Sequence, residues 1–221
     1  MNRRHVLLGS AATLATGGYL LTRPQGGTPA GHLISPAYAQ DADIDTSIIP
    51  EMQLGDPDAP VTVIEYASFT CPHCARFHVG PFKQLKADYI DTGKINFIYR
   101  EVYFDRYGLW ASMIARCGGG ERFFGITDLI YARHDQWTRA GGPTEIADEL
   151  RKIGRLAGLD DDTLEACLQD QTMARTLVAW YQENAEEHGI DSTPSFMIND
   201  RKYQNMSYAD FSALIDEALG T

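Results

Sequence analysis

Two cysteines separated by two residues, Cys71-Pro72-His73-Cys74, are the most reactive grouping in this chain. At such spacing two sulfurs can close a small ring, so the pair can exist as a dithiol or a disulfide. Only the thiolate attacks a disulfide, so exchange chemistry needs one sulfur whose negative charge is stabilised. Cys71 falls where an apolar run gives way to a helix. Unpaired backbone N–H groups and the positive end of the helix dipole would favour a thiolate there. Cys74 lies one turn further in, within reach of Cys71 and more buried. His73 can donate a hydrogen bond or carry positive charge between them. Zinc binding by the same pair, with His73 or His78 as a further ligand, would need a second ligand pair. Cys117 and Cys167 are fifty residues apart and do not have that spacing, so no metal site is expected. A purely structural bridge across two residues closes too small a loop to add much stability.

The elements that must hold this pair follow from local pattern. Val61–Ala67, VTVIEYA, is nearly continuous in apolar and β-branched residues, as in a strand covered on both faces. Glu65 interrupts it, and a lone acid in such a strand is costly without a partner. Either Glu65 is a buried functional acid, or it lies at a strand edge against a surface base. Arg100 and Lys94 are the candidate cations. Pro72 suits a first helical position, and Pro72–Asp91 reads as a helix kinked at Gly80-Pro81. Lys94–Val102 reads as a second strand. From about residue 105 to 189 strand signals give way to helices: Leu109–Cys117, Glu121–His134, Pro143–Ala157, Asp161–Gln169 and Gln171–His188. The triplet Gly118-Gly119-Gly120 stops the first of these. His134 and His188 are expected near helix C-termini. Trp110, Trp137 and Trp180 are expected to pack internally. Strand character returns at Ser195–Ile198 and Lys202-Tyr203, and Ser207 can cap a last helix, Tyr208–Leu219. The class is therefore α/β, with a helical block inserted between strands.

Composition narrows the setting. The 221 residues carry a formal net charge of -11, and residues 1–40 contain Arg3, Arg4 and Arg23 with no acid. So acidic a body argues against nucleic acid as a partner. Residues 1–39 read as a signal peptide, with an Arg3-Arg4 n-region, the apolar stretch Val6–Leu21 and the small-x-small site Ala37-Tyr38-Ala39. Sec and Tat export both fit, and an uncleaved anchor is the alternative. Residues 40–54 read as a polar N-terminal tail. An exported chain with four cysteines suits an oxidising compartment.

EYASFTCPHC (Glu65–Cys74), followed by Phe77-His78, closely resembles the DsbA-like branch of the thioredoxin superfamily. GDPDAPVTVIEY, Thr193-Pro194 and the helical block also match, over about residues 50–220. REVYFD followed by a helical cysteine is similar to alphaproteobacterial members. The resemblance implies a thioredoxin fold with an inserted all-helical subdomain: residues 55–104 and 190–221 as its two parts, and 105–189 as the insert. It implies a periplasmic thiol:disulfide oxidoreductase acting on reduced exported proteins. A DsbB-like membrane quinone reductase would reoxidise it, and the redox-active disulfide would be its only redox group, with no further cofactor. Cys71 would be the nucleophile, Cys74 the resolving thiol and Pro194 a cis-proline facing them. Thr193 would offer its backbone to substrate, and Glu65 would accept a proton from the buried cysteine. A lysine partner usual for that acid has no match here. In an exported chain Cys117 and Cys167 are expected to pair, with two buried free thiols as the alternative; in some relatives such a bridge tunes the active pair. An isomerase or reductase on the same fold, or an exported holdase, are the alternative functions; a monomer is expected.

Overall fold

A computed structural model describes residues 44–221 of the chain. The expected signal peptide and cleavage site lie outside the described residues. Among the described residues no helix is long and apolar enough to cross a membrane.

The first described segment departs from a loose polar tail. Thr46–Ile48 forms a 3-10 turn capped by Asp45. Met52–Gly55 is a strand, β1, paired antiparallel with a later strand. Four residues with apolar side chains only at Met52 and Leu54 are too few for alternation to announce a strand. Gly55 is needed at its end: φ is +96°, and a Cβ there would come within 2.5 Å of the Ile95 carbonyl oxygen.

β2 (Val61–Ala67) leads into α1 (Pro72–Val79) and α2 (Pro81–Leu85), bent apart at Gly80-Pro81 as expected from the missing N–H of Pro81. A π-type turn, Lys86–Ile90, follows, closed by the Asp91 N–H on the Lys86 carbonyl. β3 (Ile95–Glu101) comes next. β4 (Ser195–Ile198), β5 (Arg201–Gln204) and α9 (Tyr208–Leu219) close the chain. The sheet order is β1-β3-β2-β4-β5, with β2 and β3 parallel and the other pairs antiparallel.

Between β3 and β4 stands the helical block: α3 (Arg106–Cys117), α4 (Gly119–Ala132), α5 (His134–Thr138), α6 (Pro143–Leu156), α7 (Asp161–Gln169) and α8 (Gln171–Glu187). The glycine triplet breaks the helix for only one residue, because Gly119 turns the chain at φ +69° and α4 starts there. The expected single helix over 121–134 is two. Arg133, at φ -110° and ψ 16°, leaves helical geometry, and the buried Trp137 indole donates back to the Ile130 carbonyl across the break. His134 therefore begins α5 rather than ending a helix. His188 does sit at the C-terminal cap of α8. Trp137 and Trp180 are buried, and Trp110 packs half-buried against both cores.

β2 is the centre of the sheet and is covered on both faces. Val61, Val63 and Ala67 join the core made with α1, α2, α4 and α9. Ile64 and Tyr66 point the other way, into the core made with α3 and α8. Each fully buried branched side chain here contributes roughly 1.5–3 kcal/mol.

Cys117, at the end of α3, is joined to Cys167 in α7 by a disulfide. Replacing both by serine removes the cross-link from the unfolded chain, and the loop length sets an upper limit of about 4 kcal/mol of lost stability. Denaturant unfolding of the double variant, with Cys71 and Cys74 held reduced in both proteins, measures it.

Candidate thiol–disulfide site

The site begins as a turn. After β2 the chain reverses over Ser68–Cys71, with the Cys71 N–H donating to the Ser68 carbonyl at 3.0 Å. Phe69 is buried between Tyr99 and Tyr131, ring centroids 5.6 and 5.3 Å away. The Thr70 hydroxyl donates to Asp105 Oδ2 at 2.9 Å. The other oxygen of Asp105 accepts the N–H groups of Tyr107 and Gly108 and so caps α3. One carboxylate thus joins the cysteine turn to the helical block.

Cys71 is the N-cap of α1, in extended geometry, with Pro72 at the first helical position. Its sulfur makes no capping bond to the helix backbone at the side-chain distances of Ser or Asp caps. Cys71 is almost covered and Cys74 wholly so, and both are free thiols. Across from them the Thr193-Pro194 bond is cis, and the Thr193 carbonyl oxygen accepts the Cys71 thiol at 3.5 Å.

The two sulfurs are held in opposite protonation states. The Cys71 thiol is lowered to about 5, chiefly because the Cys74 thiol donates a hydrogen bond to its sulfur. Burial opposes this, while Thr193 and the N–H groups of Cys74 and His73 add to it. Cys74 is pushed well above the usual thiol range, first by burial, then by that same hydrogen bond, then by the charges of Cys71 and Glu65. His73 acts through its backbone N–H. Its exposed ring, expected to serve Cys71 directly, has Nδ1 2.8 Å from Arg76 Nη2; guanidinium only donates, so that nitrogen is an acceptor.

Beneath the pair lies Glu65, on the central strand and 0% exposed, which rules out an edge position. Neither expected cation reaches it. Arg100 pairs with Glu51 at 2.6 Å and with the Tyr66 hydroxyl at 2.8 Å, and Lys94 sits over the Tyr89 ring. The cause is register: parallel pairing sets Tyr99 beside Glu65 and Arg100 beside Tyr66, whose side chains face the opposite core. The partner of Glu65 is His78, Nε2 to Oε2 at 2.8 Å, itself 1% exposed. The imidazole stacks on Tyr131 at 4.4 Å and 16°. The hydroxyls of Tyr99 and Tyr131 are 2.7 Å apart, and Tyr131 donates on to the Ser68 carbonyl. Sequence reasoning took His78 as a conceivable zinc ligand and as part of the family motif, and gave it no role beside Glu65. The available signal was its place four residues after Cys74, on the same face of α1. Tyr99, Tyr131 and Asp105 gave no local signal.

A capping cysteine poised as thiolate, a buried second thiol one turn on and a facing cis-proline define a site for thiol–disulfide exchange on a mixed sheet. The family model described as "Thioredoxin" matches residues 47–217. A Rickettsia bellii protein named as a protein-disulfide oxidoreductase is 36% identical over 170 residues, covering 76% of this chain and 64% of that protein. The chain thus spans a little under two thirds of the length of that relative. Among solved structures, Wolbachia pipientis alpha-DsbA1 superposes with a TM-score of 0.70 at 30% identity, covering 79% of this chain and 94% of the other. A Novosphingobium aromaticivorans protein named as a protein-disulfide isomerase gives 0.69 at 25% identity, covering 77% and 98%. This chain belongs to the thioredoxin family, in its DsbA-like branch.

The lowered Cys71 value fixes a pH dependence. A folded value of about 5 against the usual thiol value of 9.0 means that the reduced protein gains stability as pH rises through that interval, and loses it as pH falls through 5. Alkylation of Cys71 should therefore titrate near 5. In Cys74→Ala, which removes the strongest donor, the midpoint should move upward. Iodoacetamide kinetics against pH measure both.

Proposed function

We propose that this protein is an exported dithiol oxidase that introduces disulfides into other exported proteins. The observation that carries the reading is the asymmetry of the pair. A stabilised Cys71 thiolate is a good leaving group, so a disulfide to it is readily given away. A substrate thiolate attacks Cys71 Sγ and breaks the Cys71–Cys74 bond, forming a mixed disulfide and releasing the Cys74 sulfur. A second substrate thiolate then displaces Cys71 as thiolate. The substrate leaves oxidised and the protein dithiol remains.

Thr193 and cis-Pro194 line the approach to Cys71, and an extended polypeptide beside them would be the expected substrate form. Pro72 starts α1 and so sets the position of the capping sulfur. Glu65 would serve as proton acceptor beneath Cys74. Reoxidation would fall to a DsbB-like membrane quinone reductase. A periplasmic location is supported by the leader-like residues 1–39 and by the four-cysteine pattern. The Cys117–Cys167 bridge would tune the potential of the active pair; a double serine variant with the parent potential removes that part of the proposal.

A second reading, disulfide isomerase, is favoured by the likeness to the Novosphingobium protein, which is named as one. One experiment separates the two. Oxidised protein is mixed with a fully reduced secretory protein, and separately with a scrambled one, and the redox equilibrium with glutathione is measured. The oxidase reading expects rapid oxidation of the reduced substrate, loss of activity in Cys71→Ser, and little unscrambling. A strongly reducing potential with efficient unscrambling would sink it.

A further inference from the structure

The Glu65–His78 pair differs from the other buried ion pair on this sheet. Glu101 accepts Arg116 through both oxygens, at 2.6 and 2.7 Å, and the Ser112 hydroxyl at 2.9 Å. Both oxygens of that carboxylate are engaged. Glu65 and His78 make one contact, and Glu65 Oε1 and His78 Nδ1 are buried with no hydrogen-bond partner among the described residues. Native structures seldom leave buried polar atoms unpaired, and each one calls for an explanation; Asn96, Thr127, His134 and Thr193 also hold one each, but among the described residues only here do two fall within one ion pair.

The unpaired atoms have a chemical sense. With an ionised Glu65, the bonded Nε2 carries the hydrogen and donates to Oε2, and Nδ1 is then a bare acceptor. Both loose ends are acceptors and neither is an orphaned donor. The pair therefore has room to receive a proton. The groups facing His78 offer no rival. From β2 there is Glu65, from β3 Tyr99 and from α4 Tyr131, and the apolar Phe77 and Phe82 pack beside them. The two tyrosines are pushed well above the usual phenol range by burial, and both hydroxyls are engaged in the chain that ends on Ser68. The charge of Glu65 adds to the raising of Cys74, although Oε1 makes no hydrogen bond to that sulfur in the resting pair.

We propose that His78 is a positioning residue for the resolving step: its Nε2–H fixes Glu65 through Oε2 in the dry core and leaves Oε1 free to take the proton of Cys74. The inference rests on the exchange reading above. In the step, Cys71 carries a mixed disulfide with a partner. The proton of Cys74 passes from Sγ to Glu65 Oε1. The sulfur electron pair attacks Cys71 Sγ, the bond between Cys71 and the partner breaks, and the partner leaves as thiolate. Cys71–Cys74 is now oxidised and the partner reduced, and Glu65 later returns the proton to water. A neutral donor suffices here, and no permanent cation is required.

The test uses glutathione as the partner. The Cys71–glutathione mixed disulfide is formed by reacting reduced protein with oxidised glutathione, and release of the second glutathione is followed from pH 5 to 9 by stopped flow. His78→Leu removes the donor. It should slow release near neutral pH by about 100-fold, the scale of a positioned acid–base group, and shift the rise of the rate to higher pH. His78→Gln, which can put an N–H where Nε2 lies, should restore the parent rate and profile. His78→Asn, too short to reach, should not. Glu65→Gln should be slow throughout. Rates that follow only the melting temperatures of the variants, or a His78→Gln profile as impaired as that of His78→Leu, overturn the inference. Should His78→Leu fail to fold, the glutamine and asparagine pair decides alone. If the parent cannot oxidise a dithiol peptide, the functional reading itself falls. If it can, and the His78 variants keep the parent profile, only this inference falls.

Discussion

The interaction between the two sulfurs, one helical turn apart, governs this site. It is the largest influence lowering Cys71 and, after burial, the largest raising Cys74. One contact therefore produces both halves of the asymmetry. The contact depends on spacing: an N-cap residue and the residue three further on share the first turn of a helix. Pro72 suits the start of that turn, since it has no N–H to leave unpaired. The reactivity of one sulfur and the inertness of the other are thus consequences of where α1 starts. What fixes that start is the packing of Phe69 between two tyrosines and the Thr70–Asp105 bond.

The sheet separates structural from chemical polar groups. On the face toward α3 and α8, Tyr66 accepts from Arg100, Arg100 pairs with Glu51, and the Tyr66 hydroxyl also meets His188 at 2.6 Å. Near the end of β3, Glu101 is saturated by Arg116 and Ser112. These groups are satisfied, as buried or half-buried polar groups must be if they are to cost little. On the face toward α1, Glu65 keeps one free oxygen. Burial alone does not distinguish the two glutamates, since both are essentially inaccessible. The number of occupied lone pairs does.

The parts of the site that are local in sequence were legible. Val61–Ala67 as a doubly covered strand, Cys71 as a helix start and Cys74 as the buried partner all follow from patterns a few residues long. The pairing of Cys117 with Cys167 came through the exported setting and the even cysteine count, and the cis Thr193-Pro194 bond through family resemblance, because no local rule specifies either. What was misassigned depended on register. Arg100 lies one residue from Tyr99, but one residue along a strand is the opposite face of the sheet. Choosing a cation for Glu65 by charge alone therefore put it in the wrong core. β1 was invisible because so short an edge strand takes its stability from its pairing with β3 rather than from its own composition. The break between α4 and α5 was hidden for a similar reason: Arg133 has no intrinsic tendency to end a helix, and the turn is held by the buried Trp137 indole.

The helical block has a part in the chemistry that its position between two strands does not suggest. Asp105 begins it and anchors the cysteine turn. Tyr131, deep within α4, stacks on His78 and hydrogen-bonds the Ser68 carbonyl that also accepts the Cys71 N–H. A sheet with α1 and α9 alone would leave one side of the Glu65–His78 pair open to water. Water there would satisfy the free acceptors and weaken the field of Glu65 on Cys74, since charges act more strongly in a dry site. The insertion therefore supplies the wall that keeps the Glu65–His78 pair dry. On this view the active pair belongs to the strand–helix unit, and the dielectric in which it works belongs to the insert.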